Sequence, residues 1–142
     1  MNIKYRNFLM LTLLSFSFAA FAGSADAQWE TTKTRADAAG HLVFHEERGP
    51  RGIRTTTYNY FAGTDIVALR RSTTRMKDGA IYVLTERRDA RGRLISLINE
   101  AVDKNGRYSG SRQRWAYQNA RDTRGLQITE RYDHITRGWV RI

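Results

Sequence analysis

The stretch Asp89-Ala90-Arg91-Gly92-Arg93-Leu94-Ile95-Ser96-Leu97-Ile98-Asn99-Glu100-Ala101-Val102-Asp103-Lys104-Asn105-Gly106 decides the fold. It opens and closes on the same D-x-x-G pattern. Asp at the first position of a type I turn bonds the backbone two residues on. Gly at the fourth takes the left-handed conformation that closes a hairpin with a bulge. Between the turns, Leu94, Ser96 and Ile98 share one strand face and Ile95, Leu97 and Asn99 the other. The pattern returns at Asp37-Ala38-Ala39-Gly40 and Asp122-Thr123-Arg124-Gly125. Gly49-Pro50-Arg51-Gly52, Ala62-Gly63-Thr64, Lys77-Asp78-Gly79 and residues 134–138 add further turn signals.

The segments between turns are rich in Thr, Val, Ile, Tyr and Leu, which suit a pleated surface. No long stretch carries a helical stripe. The reading is all-β: an antiparallel meander of about eight or nine strands, closed as an up-and-down barrel or left as a curled sheet. Strands are expected near 29–36, 41–48, 53–61, 65–75, 80–88, 93–102, 107–121, 126–132 and 139–142. The strands at 80–88 and 93–102 are apolar on both faces, so they are expected to be central and covered on both sides. Residues 53–61 or 139–142 are candidates for an unpaired edge. An outer-membrane barrel is disfavoured, because Arg70, Arg71, Arg112 and Arg114 break any outward apolar band.

Working outward to the N-terminus, Lys4 and Arg6 precede an apolar run over 8–22, then Ala25-Asp26-Ala27. That is the layout of a secretory signal peptide. The run is shorter than the roughly 20 residues a spanning helix needs. The expected organisation is a cleaved leader, 1–27, and one β domain, 28–142, exported to the periplasm or beyond. There is no Cys, so neither disulfides nor a lipidated cysteine can hold or anchor it. No transmembrane span is expected after cleavage, and the oligomeric state is left open.

The chain holds 24 Lys+Arg against 14 Asp+Glu, a formal charge of +10, and most of the cations are Arg. Arg is a planar fork suited to phosphate, sulfate and carboxylate. A field of this sign favours polyanionic partners. The segment 104–121 is the strongest candidate surface: it has no acidic residue, and Arg107, Arg112, Arg114 and Arg121 interleave with Trp115 and Tyr117. On a strand, Arg112 and Arg114 project opposite to Trp115 and Tyr117.

Catalytic and metal signals are sparse. His41 and His45 lie about 13 Å apart on an extended strand, too far to share one ion. No metal or cofactor is expected. No G-x-S-x-G, H-E-x-x-H or phosphate-loop pattern is present. The turn unit Asp89-Ala90-Arg91-Gly92-Arg93-Leu94 faintly resembles the tyrosine–aspartate repeats of bacterial surface and toxin shells. Arg88 and Val102 stand where those repeats carry Tyr, and the likeness goes no deeper than hairpin chemistry. The tail Tyr132-Asp133-His134 looks a little like the end of the small guanyl-specific bacterial ribonucleases. That resemblance implies His134 as a general acid; the carboxylate base and phosphate-holding arginine such chemistry needs stand nearby as Glu130 and Arg131, with Glu86 and Arg87 the alternative pair. The resemblance covers only the tail, and Ile135 replaces the family's aromatic residue.

The reading is a non-enzymatic, exported binding module. Its expected partner is anionic (lipopolysaccharide, acidic polysaccharide or nucleic acid) or an envelope protein. The alternatives are a small basic ribonuclease-like toxin and a small barrel holding an apolar ligand.

Overall fold

The structure is a computed structural model that describes residues 28–142; the leader and cleavage pattern expected over 1–27 lie outside the described residues. The strands are β1 (Glu30–Ala36), β2 (Leu42–Gly49), β3 (Gly52–Tyr60), β4 (Val67–Met76), β5 (Ile81–Arg88), β6 (Leu94–Val102), β7 (Tyr108–Ala116), β8 (Leu126–Asp133) and β9 (Gly138–Arg141). They form one antiparallel sheet in sequence order, each strand bonded to the next.

The turns build it from local chemistry. Asp37, Asp89 and Asp103 each accept from the backbone N–H two residues on, at 2.9, 2.9 and 2.8 Å. Each also accepts from the N–H four residues on, at 2.9, 3.0 and 2.8 Å. Gly40, Gly92 and Gly106 follow with φ of 87°, 79° and 79°. Asp122 instead accepts from Arg124 and Gly125 N–H, both at 3.0 Å. These bonds favour the ionised carboxylate, and they are the leading reason that Asp37, Asp103 and Asp122 are held below the ordinary range.

The sheet is not closed: β1 and β9 are its two edges. Closure would set seven-residue β1 against four-residue β9. Both faces also carry charged side chains, which a small filled barrel does not accommodate. Among the described residues the edges are β1 and β9, the latter near the 139–142 expected from sequence, whereas β3 (over 53–61 by sequence) is interior. The strand expected over 107–121 stops at Ala116. Asn119 Oδ1 accepts from the Arg121 and Asp122 N–H groups at 2.9 and 3.1 Å, which turns the chain before Gly125.

β5 and β6 are central, but they are not covered on both sides. Tyr82 is 51% exposed, and Arg87 and Asn99 are also exposed. Among the described residues Ala80 is the one buried apolar side chain; Thr56, Ser72 and Glu130 are the buried polar ones. Side-chain contact shifts faces along the meander. In β3, Arg54, Thr56 and Tyr58 are less exposed than Ile53, Thr57 and Asn59 on the opposite face. In β8, Glu130 and Tyr132 share a face and Arg131 opposes them, exposed. Cohesion rests on the backbone ladder and cross-strand pairs rather than on one dry core.

One such pair is buried: Thr56 Oγ1 donates to Ser72 Oγ at 3.1 Å across β3 and β4. Ser72→Ala leaves the Thr56 hydroxyl without that acceptor. The expected loss is about 1 kcal/mol, read as a lower urea midpoint with an unchanged slope.

Candidate anion-binding face

Cross-strand register sorts the arginines onto two faces, because residues paired across strands share a face and neighbours along a strand alternate. Arg70 pairs with Glu86, and Arg71 with Thr85. On the first face, Arg70 Nη2 donates to Glu86 Oε1 at 2.7 Å, and Arg88 Nη2 lies 3.8 Å from Glu86 Oε2. Arg54 Nε donates to Glu47 Oε2 at 2.6 Å, and its guanidinium lies 4.5 Å from the centre of the Trp29 ring. These arginines of β3–β5 are held in ion pairs.

On the opposite face stand Arg71, Arg75 and Arg87, all exposed. None of the three has a carboxylate partner among the described residues. Arg71 and Arg87 are diagonal neighbours on β4 and β5, about 7–8 Å apart. This basic face carries the free guanidinium groups of the sheet centre.

The residues singled out by sequence are dispersed. Arg112 and Arg114 do share the basic face, but both turn to Glu130 on β8. Arg112 makes a two-point contact, Nε to Oε2 at 2.6 Å and Nη2 to Oε1 at 3.0 Å. Arg114 Nε adds a bond to Oε2 at 3.1 Å. Arg112 hydrogen bonding is the main reason the Glu130 carboxyl is held below its ordinary range, and the same bonds raise Arg112. Arg112 also lies over Trp139, 4.8 Å from the ring centre. Its side chain is 28% exposed against 51% for Arg114. Arg114 is thus the more available of the pair.

Trp115 is on the other face, half-buried and paired with Gln127. Tyr117 lies beyond β7, where its hydroxyl donates to the Leu94 carbonyl at 2.7 Å and Arg93 sits 4.2 Å from its ring centre. Arg107 and Arg121 are exposed at opposite ends of β7. Sequence reasoning does not single out Arg71, Arg75 or Arg87 as an anion-binding surface. The signal that finds them is the hairpin about Lys77-Asp78-Gly79, which sets Arg70 opposite Glu86 and so leaves Arg71 and Arg87 on the other side.

The tail residues divide: Arg131 and His134 line one pocket with Tyr132 and Asp133, while Glu130 projects from the face opposite Arg131. Glu130 is held by two arginines on one face, and Arg131 projects from the other. His134 lies in the β8–β9 turn, edge-on to Tyr132 at 5.4 Å. Glu86 and Arg87 likewise face opposite ways. Tyr108 donates to Glu100 at 3.0 Å; burial and then this bond push its pKa up to about 12. Among the described residues no three His, Cys, Asp or Glu side chains gather as metal ligands.

His41 forms a separate node. It precedes β2, stacks on Tyr60 at 4.5 Å, and reaches Asp37 Oδ2 through Nδ1 at 3.2 Å and Asp65 Oδ1 through Nε2 at 2.6 Å. These bonds tie the β1–β2 turn to the β3–β4 turn. Asp65 and then Asp37 raise the His41 pKa above its ordinary 6.5. A histidine raised in the folded state stabilises below its unfolded pKa and loses that contribution as pH rises through the folded one. The thermal midpoint is therefore expected to fall between pH 6 and pH 8, and His41→Gln is expected to flatten that change. Asp37, held below 3.8, acts in the other sense: its contribution is lost as pH falls through its folded value.

No protein-family profile, curated protein sequence or solved structure matches the chain.

Proposed function

We propose that this protein is an exported, non-enzymatic module that binds an anionic partner through the exposed arginines of its basic face. One observation carries the reading: arginines of β3–β5 are ion-paired on one face, while Arg71, Arg75 and Arg87 on the other stand exposed without carboxylates. A side chain placed only for solubility has no reason to segregate in this way. Free guanidinium groups offer forked donors to sulfate, phosphate or carboxylate. The excess of Lys and Arg over Asp and Glu supplies long-range attraction.

The alternatives fit less well. The open sheet encloses no barrel interior for an apolar ligand. A Glu130 already neutralised by Arg112 and Arg114 is a weak general base.

The test is binding of the purified protein to heparin across a salt series, with RNA incubated in parallel. Log affinity is expected to fall linearly with log salt while the RNA stays intact. Absence of heparin binding at low salt overturns the proposal. RNA cleavage lost in His134→Ala would replace it with the ribonuclease reading.

A further inference from the structure

The register places six basic-face arginines in a band that runs across the strands rather than along them, with Arg75 outside it. One row reads Arg35, Phe44, Thr57, Arg71, Thr85, Ile98, Arg112, Glu130 and Arg141, one residue from each of β1 to β9. The adjacent row on the same face adds Arg87 and Arg114, linked through Ser96. These two rows hold six arginines and one acid, Glu130, which Arg112 already engages at 2.6 Å. The acids Glu46 and Glu100 lie in the neighbouring row on the far side, so the positive band has a boundary.

Resting on the anion-binding reading above, we infer that the ligand is a flexible, linear acidic polysaccharide that lies perpendicular to the strands. The reasoning is geometric. Eight inter-strand steps of about 4.8 Å make the band about 38 Å long. Arg87 and Arg114 are two strands apart, about 10 Å, and Arg35 and Arg71 three strands apart, about 14 Å. A compact anion reaches one guanidinium or the Arg71–Arg87 diagonal. A chain reaches them in turn, and each contact after the first is intramolecular.

The shape of the sheet selects among polyanions. Adjacent strands rotate by roughly 20–25°, so over eight steps the band turns through more than a right angle. A planar membrane meets only part of such a band, whereas a flexible chain can follow it. Single-stranded nucleic acid is favoured by aromatic platforms for its bases. The two rows carry one ring, Phe44, with Arg35 over it at 5.9 Å. Beside them on the same face, Tyr132 packs edge-on with Tyr108 and Trp139, and Arg112 covers Trp139 at 4.8 Å. These rings face each other and an arginine rather than forming an open platform. Between the arginines stand Thr57, Thr85 and Ser96, short hydroxyl side chains that suit sugar hydroxyls and leave the path shallow.

Heparin fragments shorter and longer than the band, titrated against the purified protein at fixed salt, test this. Affinity is expected to rise about a hundredfold with chain length and then level off once the chain spans the band. Arg71→Ala with Arg87→Ala, which breaks the centre of the band, is expected to remove most of that gain. Arg131→Ala, on the opposite face, is expected to leave it intact. Matching thermal midpoints for the variants exclude misfolding. If the shortest fragment binds as tightly as the polymer, the transverse band is overturned and the anion-binding reading survives. If no length binds at low salt, both fall. Tighter binding of single-stranded RNA, or of vesicles of anionic lipid, at matched charge overturns the polysaccharide assignment. An equal loss in Arg131→Ala overturns the placement of the band.

Discussion

Gly52→Ala is expected to lower folding stability by about 3 kcal/mol, at the upper end of overpacking effects. Gly52 opens β3, closes the Gly49-Pro50-Arg51-Gly52 hairpin and faces Met76 on β4. A Cβ there would sit 2.2 Å from the Arg75 carbonyl oxygen and 3.0 Å from the Met76 Cα. Both obstacles are backbone, so no rotamer change relieves them. The β3–β4 ladder must part at this end. The Lys77 N–H to Arg51 carbonyl bond, 2.8 Å, is strained with it, although it joins this hairpin to the next. Urea unfolding reads the loss directly. A fall below about 1 kcal/mol would mean that the hairpin shifts freely and that the close approach carries little structural weight.

Reversing two charges on the basic face, Arg71→Glu with Arg87→Glu, is expected to lower the slope of log affinity against log salt by about two, roughly one unit per lost contact. With affinity near 1 M salt unchanged, that slope corresponds to a loss of about a hundredfold at roughly 0.1 M. Both side chains are exposed and lack carboxylate partners among the described residues, so stability is expected to hold within about 0.5 kcal/mol. The same reversal at Arg131, exposed on the other face, is the control. If the slope falls equally there, the protein binds through net charge alone and the face is not a site. Arg112 is an unsuitable probe, because removing it leaves the Glu130 carboxylate without its two-point partner and confounds binding with stability.

Much of the fold was legible along the chain because its causes are local. Asp89 and Asp103 bend the backbone by bonding N–H groups two and four residues away, so the hairpins follow from neighbouring residues. The end of β7 was less legible. It depends on Asn119 and Asp122 capping a loop without Pro, and on Arg93 donating to the Asn119 and Asp122 carbonyls at 2.9 and 2.8 Å. The candidate surface was legible only in kind. The arginine excess and the acid-free run over 104–121 point to anions, yet Glu130 from the next strand engages Arg112 and Arg114. Nothing within 104–121 signals that carboxylate.

By itself the sequence determined an all-β antiparallel meander, since turn chemistry and period-two alternation act over a few residues. The tertiary structure alone decided that the sheet stays open, which arginines are paired and which face carries the free ones. Those outcomes rest on register, which brings Arg70 to Glu86 and Arg112 to Glu130 from positions far apart in the chain. A one-residue slip would exchange the two faces throughout.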